Sequence, residues 1–416
     1  MHILFTMSGW RDEGGGTILP RQIALGLVRR GHRVTVVHTE TTDSPARPVC
    51  HEEGTDPNGV QLVAVRGLPS FTHSLLHPES DADAPRMRSV TAALLGRLKP
   101  DLVHYHSLNG FSLGSVEEVH HCGVPGIYTS HNYWPLCPRM YLFKSDLSLC
   151  EGPGEDGGRC SACIGYPGKA NGYGMRAARA RAVLNACVPL HLTVSERAGR
   201  LFAQNGHDPD RMKTLHPQTE TVDAIWRSLG RDRNPSRRGS GPLRVGFIGN
   251  LFAWKGVHVL VEALQAFRPG LVEGHVFGAG PSPYTEALQR LDRNGVVRFH
   301  GRYQPDRLSR LLGMFDISVV PSICEETGGL VVLEALAARV PVAGSRVGGI
   351  PEFISEGENG FLFEPGNSEH LAEVLHNCLL DPGLLERMRA GIEPPRGFDT
   401  YLDQLESIYG GVAAGH

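Results

Sequence analysis

Lysine is scarce in this chain of 416 residues: five of its 41 basic residues are Lys (Lys99, Lys144, Lys169, Lys213, Lys255) and the rest are Arg, so each lysine can be weighed singly. Aromatic residues reach only 7% and charged ones 20%, and the formal net charge is −3. No global attraction to nucleic acid or to an anionic membrane follows from such a balance. Apolar runs are short too, none approaching the roughly 18 residues that a membrane span needs. The first residues show no basic region, long apolar stretch or cleavage site, which predicts a cytoplasmic protein. The nine cysteines are an odd number, and without a secretory leader no disulfide framework is expected.

What the chain does have is an ordinary 41% of hydrophobic residues in a length about three times that of a common domain, which predicts two cores. Its 51 glycines and 29 prolines are scattered as punctuation rather than repeated. His2 to Met7 reads as a strand, Gly14 to Gly16 as a turn, Thr17 to Arg30 as a helix and Val34 to Val37 as a second strand: a βαβ unit. Strand-like runs follow at 60–65, 102–105, 126–129 and 190–194. After a polar, apolar-poor stretch at 228–242 that reads as a linker, they resume at 243–248, 272–277, 296–300, 317–320, 340–343 and 360–363. The expectation is two α/β domains, each a doubly wound parallel sheet, covering 1–227 and 243–394 and facing each other across a cleft. Residues 395–416 carry a terminal helix whose apolar positions 398, 401, 402, 405, 408 and 409 share one face and cross back onto the first domain.

The densest motif runs Pro321-Ser322-Ile323-Cys324-Glu325-Glu326-Thr327-Gly328-Gly329-Leu330, continuing through Glu334. A strand ends at the proline and glycines open a helix. The bare N–H groups of such a helix start suit a phosphate, and Glu326 and Glu334 are acceptors suited to sugar hydroxyls. Two glutamates eight apart are commonplace by themselves; their setting is not. Upstream stand Gly246-Phe247-Ile248-Gly249-Asn250-Leu251 and Lys255-Gly256-Val257, and downstream Gly278-Ala279-Gly280-Pro281 and Gly348-Gly349-Ile350-Pro351-Glu352.

Over nearly the full chain this ordered series resembles the retaining GT-B glycosyltransferases of the large family that includes relatives of glycogen and sucrose synthases, whose hallmark is Glu-x7-Glu after a Pro-Ser strand end. The resemblance implies that Glu326 binds donor-sugar hydroxyls, that Glu334 holds the ribose, and that Lys255 neutralises the diphosphate. Gly328, Gly329 and Leu330 would lie at the donor. Glu325 is a rival for Glu326, but only position 326 gives the spacing. Asn250 stands where the family commonly carries Arg, which removes one diphosphate cation. Gly15 and Gly16 would let the backbone approach the donor phosphate. Ser130-His131-Asn132-Tyr133-Trp134-Pro135-Leu136-Cys137-Pro138-Arg139 resembles a His-Asp-Tyr-Trp-x-x-Cys-Pro-Arg segment of one branch of the family, making His131 the candidate for the acceptor-side catalytic loop, with Asn132 in place of the usual Asp.

Other readings stay open at this level. The turn at Gly14 to Gly16, with Glu40 at the end of the next strand, echoes a dinucleotide site, but Leu19 stands where a third glycine is expected. His104 and His106 share one sheet face and could hold a metal or simply end a strand. Cys137, Cys150, Cys160 and Cys163 could bind a structural zinc or be four reduced thiols of a mobile lid. Arg86, Arg88, Arg97 and Lys99 flank a probable helix that could touch anionic lipid, though a solvated face is the plainer reading. The expected function is transfer of a sugar from a nucleotide-diphospho-sugar to a small-molecule, glycan, secondary-metabolite or lipid-linked acceptor, with no catalytic metal and no nucleic-acid partner. A GT-B phosphorylase or epimerase, or a non-catalytic nucleotide-sugar-binding partner protein, are the alternatives.

Overall fold

The structure, a computed structural model, describes residues 1–11, 14–42, 48–79, 84–154, 157–228, 241–381 and 383–415. The chain divides into two units. The first comprises Met1–Ser145, Cys150–Pro217 and Phe398–His416 and the second Asp146–Leu149 and Gln218–Gly397.

Eight strands make the first unit's sheet: β1 (His2–Met7), β2 (Arg33–Thr42), β3 (Val49–Thr55), β4 (Gln61–Pro69), β5 (Leu102–Tyr105), β6 (Gly126–Ser130), β7 (Leu190–Thr193) and β8 (Met212–Thr214). Their order is β3-β4-β2-β1-β5-β6-β7-β8, parallel except for the antiparallel β3–β4 pair. Every residue of β1 is buried, as a central parallel strand covered on both faces must be. One face packs under the helices Gly15–Arg29 and Phe398–Ala414, the other under the helices Pro85–Leu98, Ser112–His121 and Ala170–Cys187. The apolar stripe of the terminal helix (Phe398, Tyr401, Leu402, Leu405, Ile408, Tyr409) lies in one core with Ile3, Phe5, Ile23 and Leu27. A Cβ at Gly26 would stand 2.6 Å from Leu402 Cδ1, so a bare position lets the two helices close. Arg30 fixes their edge, pairing with Asp399 (3.1 Å), Asp403 (2.6 Å) and Glu406 (2.5 Å).

The second unit's sheet is wholly parallel: β9 (Leu243–Ile248), β10 (Val272–Phe277), β11 (Val297–Gly301), β12 (Ile317–Val320), β13 (Val342–Ser345) and β14 (Gly360–Phe363), in the order β11-β10-β9-β12-β13-β14. Strand order reverses between β9 and β12, so the loops leaving their carboxyl ends, 249–256 and 321–329, diverge at the switch point where α/β sheets bind ligands.

Two strands, β3 and β8, lie outside the sequence expectation, and β13 begins at Val342 rather than 340. The helix Glu220–Ser228, read above as the end of the first domain, packs with the second unit, where Val222 and Ile225 share a core with Leu312, Phe315 and Ala335. The linker read at 228–242 lies outside the described residues from 229 to 240. Among the described residues no helix is long and apolar enough to cross a membrane.

Candidate active site

In the second unit the sequence-distant Lys255 and Glu326 meet. Lys255 ends a 3₁₀ turn, Ala253–Lys255, just before the helix Val257–Leu264, and its Nζ donates to Glu326 Oε1 at 2.5 Å. Ser322 Oγ donates to the same oxygen at 2.6 Å. Burial pushes the Glu326 carboxyl up, but the Lys255 ammonium and the hydrogen bonds from Lys255 and Ser322 outweigh it and hold the group below the usual carboxylate range. Glu326 is therefore a fixed anion at neutral pH. Its neighbour Glu325 is 3% exposed, whereas the Glu326 side chain keeps 19% of its surface, so Glu326 is the more open of the two.

Glu334 lies one turn into the helix Leu330–Ala337 and is the opposite case. It has no hydrogen-bond or ion-pair partner among the described residues, and burial alone pushes its carboxyl up to about 7. A half-buried carboxylate without donors of its own can accept hydrogen bonds from hydroxyls. The same helix opens at Gly328, Gly329 and Leu330, and its first-turn N–H groups have no helical acceptors of their own.

The glycines around this cluster serve close backbone contact. Gly256 adopts φ 67, and a Cβ there would stand 1.8 Å from the Pro321 carbonyl oxygen. At Gly348 (φ 60) a Cβ would meet the Glu326 backbone nitrogen at 2.4 Å and oxygen at 2.3 Å, while Gly349 N–H donates to that oxygen at 2.8 Å. Gly278 and Gly280 press likewise on the carbonyls of Gly249 and Leu251. The loops that carry Lys255 and Glu326 are thus clamped main chain to main chain. Gly256→Ala should cost at least about 1–3 kcal/mol from the left-handed backbone alone, before the overlap with Pro321 is relieved; a variant melting at the parental temperature would contradict the clamp. Asn250 is exposed, and its side chain has no partner among the described residues.

In the first unit, Gly15 and Gly16 form the first turn of the helix Gly15–Arg29, so the helix starts two residues earlier than its sequence suggests. Neither has positive φ, and a Cβ on Gly16 would rest 3.7 Å from His131 Cβ. What the glycines provide is a bare helix start beside His131. His131 follows β6, and its Nε2 lies 2.9 Å from His106 Nδ1. Burial lowers the His131 imidazole to about 4, leaving it neutral at physiological pH.

Glu40 pairs with Arg66 (2.7 Å) and is not held ready for a ribose. Arg88 and Arg97 of the basic helix face pair with Glu117 and Glu52. All nine cysteines are free. Cys137, Cys150 and Cys163 gather about one loop: Cys137 and Cys150 share a core with Leu142, Cys150 N–H donates to Leu142 O (2.9 Å) and Cys163 Sγ to Phe143 O (3.9 Å). Cys160 lies one turn from Cys163 on the helix Gly158–Ile164, its thiol pushed up to about 12 by burial and by Cys137, Cys150 and Cys163 nearby. Among the described residues no three or more of His, Cys, Asp or Glu are placed to hold a metal ion; His104 lies within β5 and His106 just past its end. Sequence reasoning missed Ser322 as a partner of Glu326, although the Pro-Ser strand end marked its position, and missed His106 as a partner of His131.

Two family models match the chain: "Glycosyltransferase Family 4" over residues 13–223 and "Glycosyl transferases group 1" over residues 242–381. The chain is 29% identical over 328 residues to a sulfoquinovosyl transferase of Arabidopsis thaliana, a match covering 78% of this chain and 57% of that protein. It is 33% identical over 245 residues to the D-inositol 3-phosphate glycosyltransferase of Corynebacterium glutamicum, covering 54% of this chain and 57% of that one. The chain thus spans little more than half the length of these curated relatives. Among solved structures, Anabaena HepE, determined in complex with UDP, superposes with a TM-score of 0.66 at 18% identity over 99% of this chain and 100% of its own. That likeness shows a shared GT-B fold.

Proposed function

The chain belongs to glycosyltransferase family 4, and from that premise we propose that it moves a sugar from a nucleotide-diphospho-sugar to a hydroxyl or amine acceptor with retention at the anomeric carbon. The observation that carries this reading is the Lys255–Ser322–Glu326 cluster beside the unpartnered Glu334 at one helix start. Glu334 takes the two ribose hydroxyls, the N–H groups of Gly328 and Gly329 at the helix start face the diphosphate, and Glu326 accepts from hydroxyls of the sugar. Lys255 holds Glu326 before the donor binds. When the glycosidic bond to the diphosphate breaks, its ammonium offsets the charge left on the departing oxygen. The acceptor attacks from the face the diphosphate leaves, and the diphosphate takes the acceptor's proton, so no protein carboxylate forms a covalent intermediate. Gly15 and Gly16 let the backbone approach the donor phosphate, and His131 belongs to the acceptor-side loop. The reaction belongs in the cytoplasm, with a small-molecule, glycan or lipid-linked acceptor. Incubation with a panel of nucleotide-diphospho-sugars, following nucleoside diphosphate release and the product anomer by proton NMR, tests the reading; an inverted anomer overturns retention.

A second reading has one observation behind it. Asn250 brings hydrogen-bonding capacity but no charge to the loop beside Lys255, which suits a protein that binds nucleotide sugar without transferring it. Tight nucleotide binding with neither transfer nor donor hydrolysis would favour it.

For Cys137, Cys150, Cys160 and Cys163 the structural-zinc reading rests on their spacing and on their gathering about one loop, since among the described residues no three of them are placed to hold a metal ion. Cys160 and Cys163 present a Cys-x2-Cys pair on one helix, with Cys137 and Cys150 on the loop against it. We expect about one zinc per chain by elemental analysis, lost together in Cys160→Ser and Cys163→Ser along with several degrees of melting temperature. Metal-free chain with four freely reactive thiols and the same melting temperature would leave them as packed thiols.

A further inference from the structure

Three imidazoles run in line through the first unit. His104, inside β5, has both nitrogens engaged: Nδ1 lies 2.7 Å from Tyr409 Oη on the terminal helix and Nε2 lies 2.7 Å from Thr129 Oγ1 on β6. His106, just past the end of β5, packs on it with ring centroids 3.8 Å apart and is 2% exposed. Its Nδ1 meets His131 Nε2 at 2.9 Å, while its Nε2 is fully buried with no hydrogen-bond partner among the described residues. The ring of Phe5, 4.5 Å away between centroids, offers at best a weak π acceptor.

Burial keeps both rings of the His106–His131 pair neutral, so each carries one N–H. Two arrangements satisfy the 2.9 Å contact. If His131 donates through Nε2–H, His106 must carry its own proton on Nε2, where a buried donor finds no oxygen or nitrogen. If His106 donates through Nδ1–H, the buried Nε2 is only a bare lone pair, and His131 carries its proton on Nδ1. Orphaned buried N–H groups are rarer in folded proteins than under-used acceptors, which selects the second arrangement.

We propose that His106 is a positioning residue that fixes His131 in its Nδ1–H form, so that His131 meets the bound sugar as a hydrogen-bond donor to oxygen and not as a base. The tautomer rests on the 2.9 Å contact, the buried Nε2 and the neutrality of both rings; its use on a sugar oxygen rests on the function proposed above. The fold places the pair for this purpose, since His106 leaves β5 and Gly15–Gly16 follow β1, the two strands at which the first sheet reverses its order.

The test is imidazole nitrogen NMR on the full chain at pH 7.5, with the His131 signals assigned by their loss in His131→Gln. The wild type is expected to show the Nδ1-protonated pattern. His106→Leu should shift His131 toward Nε2–H and lower kcat by roughly 10- to 100-fold, the usual penalty for losing an orienting partner, with donor KM within about twofold of wild type. His106→Asn, whose amide N–H can stand where Nδ1–H stood, should recover the wild-type pattern and most of the rate. An Nε2–H signal in the wild type overturns the proposal, as does a His106→Leu chain of unchanged tautomer and rate. If His106→Leu fails to fold, as its melting curve would show, the wild-type spectrum and His106→Asn still decide. A chain without transferase activity would remove the proposed function yet leave the tautomer to be read directly; a fully active His131→Ala would remove the use on sugar and leave the tautomer standing.

Discussion

Lys255→Ala is expected to lower turnover by about 10²- to 10³-fold, the cost typical of removing one preorganised group at a developing anion, while the melting temperature falls little. The two effects separate because the Lys255–Glu326 pair is partly open to water, with side-chain exposures of 30% and 19%. Screened pairs of that kind contribute little to folding, about 0–1 kcal/mol. Their contribution to catalysis is different in kind. In the free protein the ammonium is matched by Glu326; in the transition state it faces charge that has just left the glycosidic oxygen, so the loss falls on kcat more than on donor KM. Burial then acts on Glu326 unopposed except by Ser322, and its carboxyl should rise, giving the variant a new acid limb in its pH profile. Steady-state release of nucleoside diphosphate against pH measures both. Turnover within tenfold of wild type would remove Lys255 from the mechanism.

How much of this could be read from residues alone varies with the physics of each part. Strands buried on both faces, such as β1, β9, β10 and β12, announce themselves as apolar runs between turns, and the sequence bounds match those in the structure. β3 does not: His51, Glu52 and Glu53 form an exposed, charged edge, and only the antiparallel ladder to β4 makes it a strand. β8 is three residues long, too short for any period. Val340 looks like the start of β13, yet its N–H donates to Ala335 O at 2.9 Å, so it closes the preceding helix. Which core the helix Glu220–Ser228 joins is a long-range fact that no local pattern carries.

The site divides in the same way. Spacing and residue type mark Glu326, Glu334 and Lys255, but not that 255 and 326 share a hydrogen bond while 334 shares none. The glycines at 256, 278, 280 and 348 stand out in the sequence as members of the motif series. Their structural requirement is the approach of one loop's carbonyls to another's Cα, a contact between segments 22 to 65 residues apart that composition cannot display. His106 was visible as half of a His-x-His strand end; its role depends on a nitrogen left without a partner, which only packing reveals.

Glu334 yields the second large effect, with opposite signs for stability and for binding. Its folded carboxyl titrates at about 7 because burial disfavours the charge, whereas in the unfolded chain a glutamate titrates near about 4.3. A carboxyl raised on folding destabilises the native state wherever it is ionised in both states. The penalty is fully present above pH 7, shrinks as pH falls through the folded value, and is gone below the unfolded one. Glu334→Gln removes the charge and keeps the shape, so at pH 8 the unliganded variant should be more stable than wild type, by on the order of 1–2 kcal/mol once the solvent reaching the group is allowed for. Below about pH 4 the difference should vanish. Nucleotide binding moves the other way. A carboxylate accepting from two ribose hydroxyls makes charge-assisted bonds of about 1.5–3 kcal/mol, so the variant should bind nucleoside diphosphate roughly 10- to 100-fold more weakly at pH 8. That deficit should narrow toward pH 6, where wild-type Glu334 is itself mostly protonated. Melting curves at pH 8 and about pH 4, with calorimetric titrations at pH 8 and about pH 6, read all four quantities. A Glu334→Gln chain that is less stable than wild type at pH 8 would mean the carboxylate has a partner in the fold; undiminished affinity there would move the ribose elsewhere.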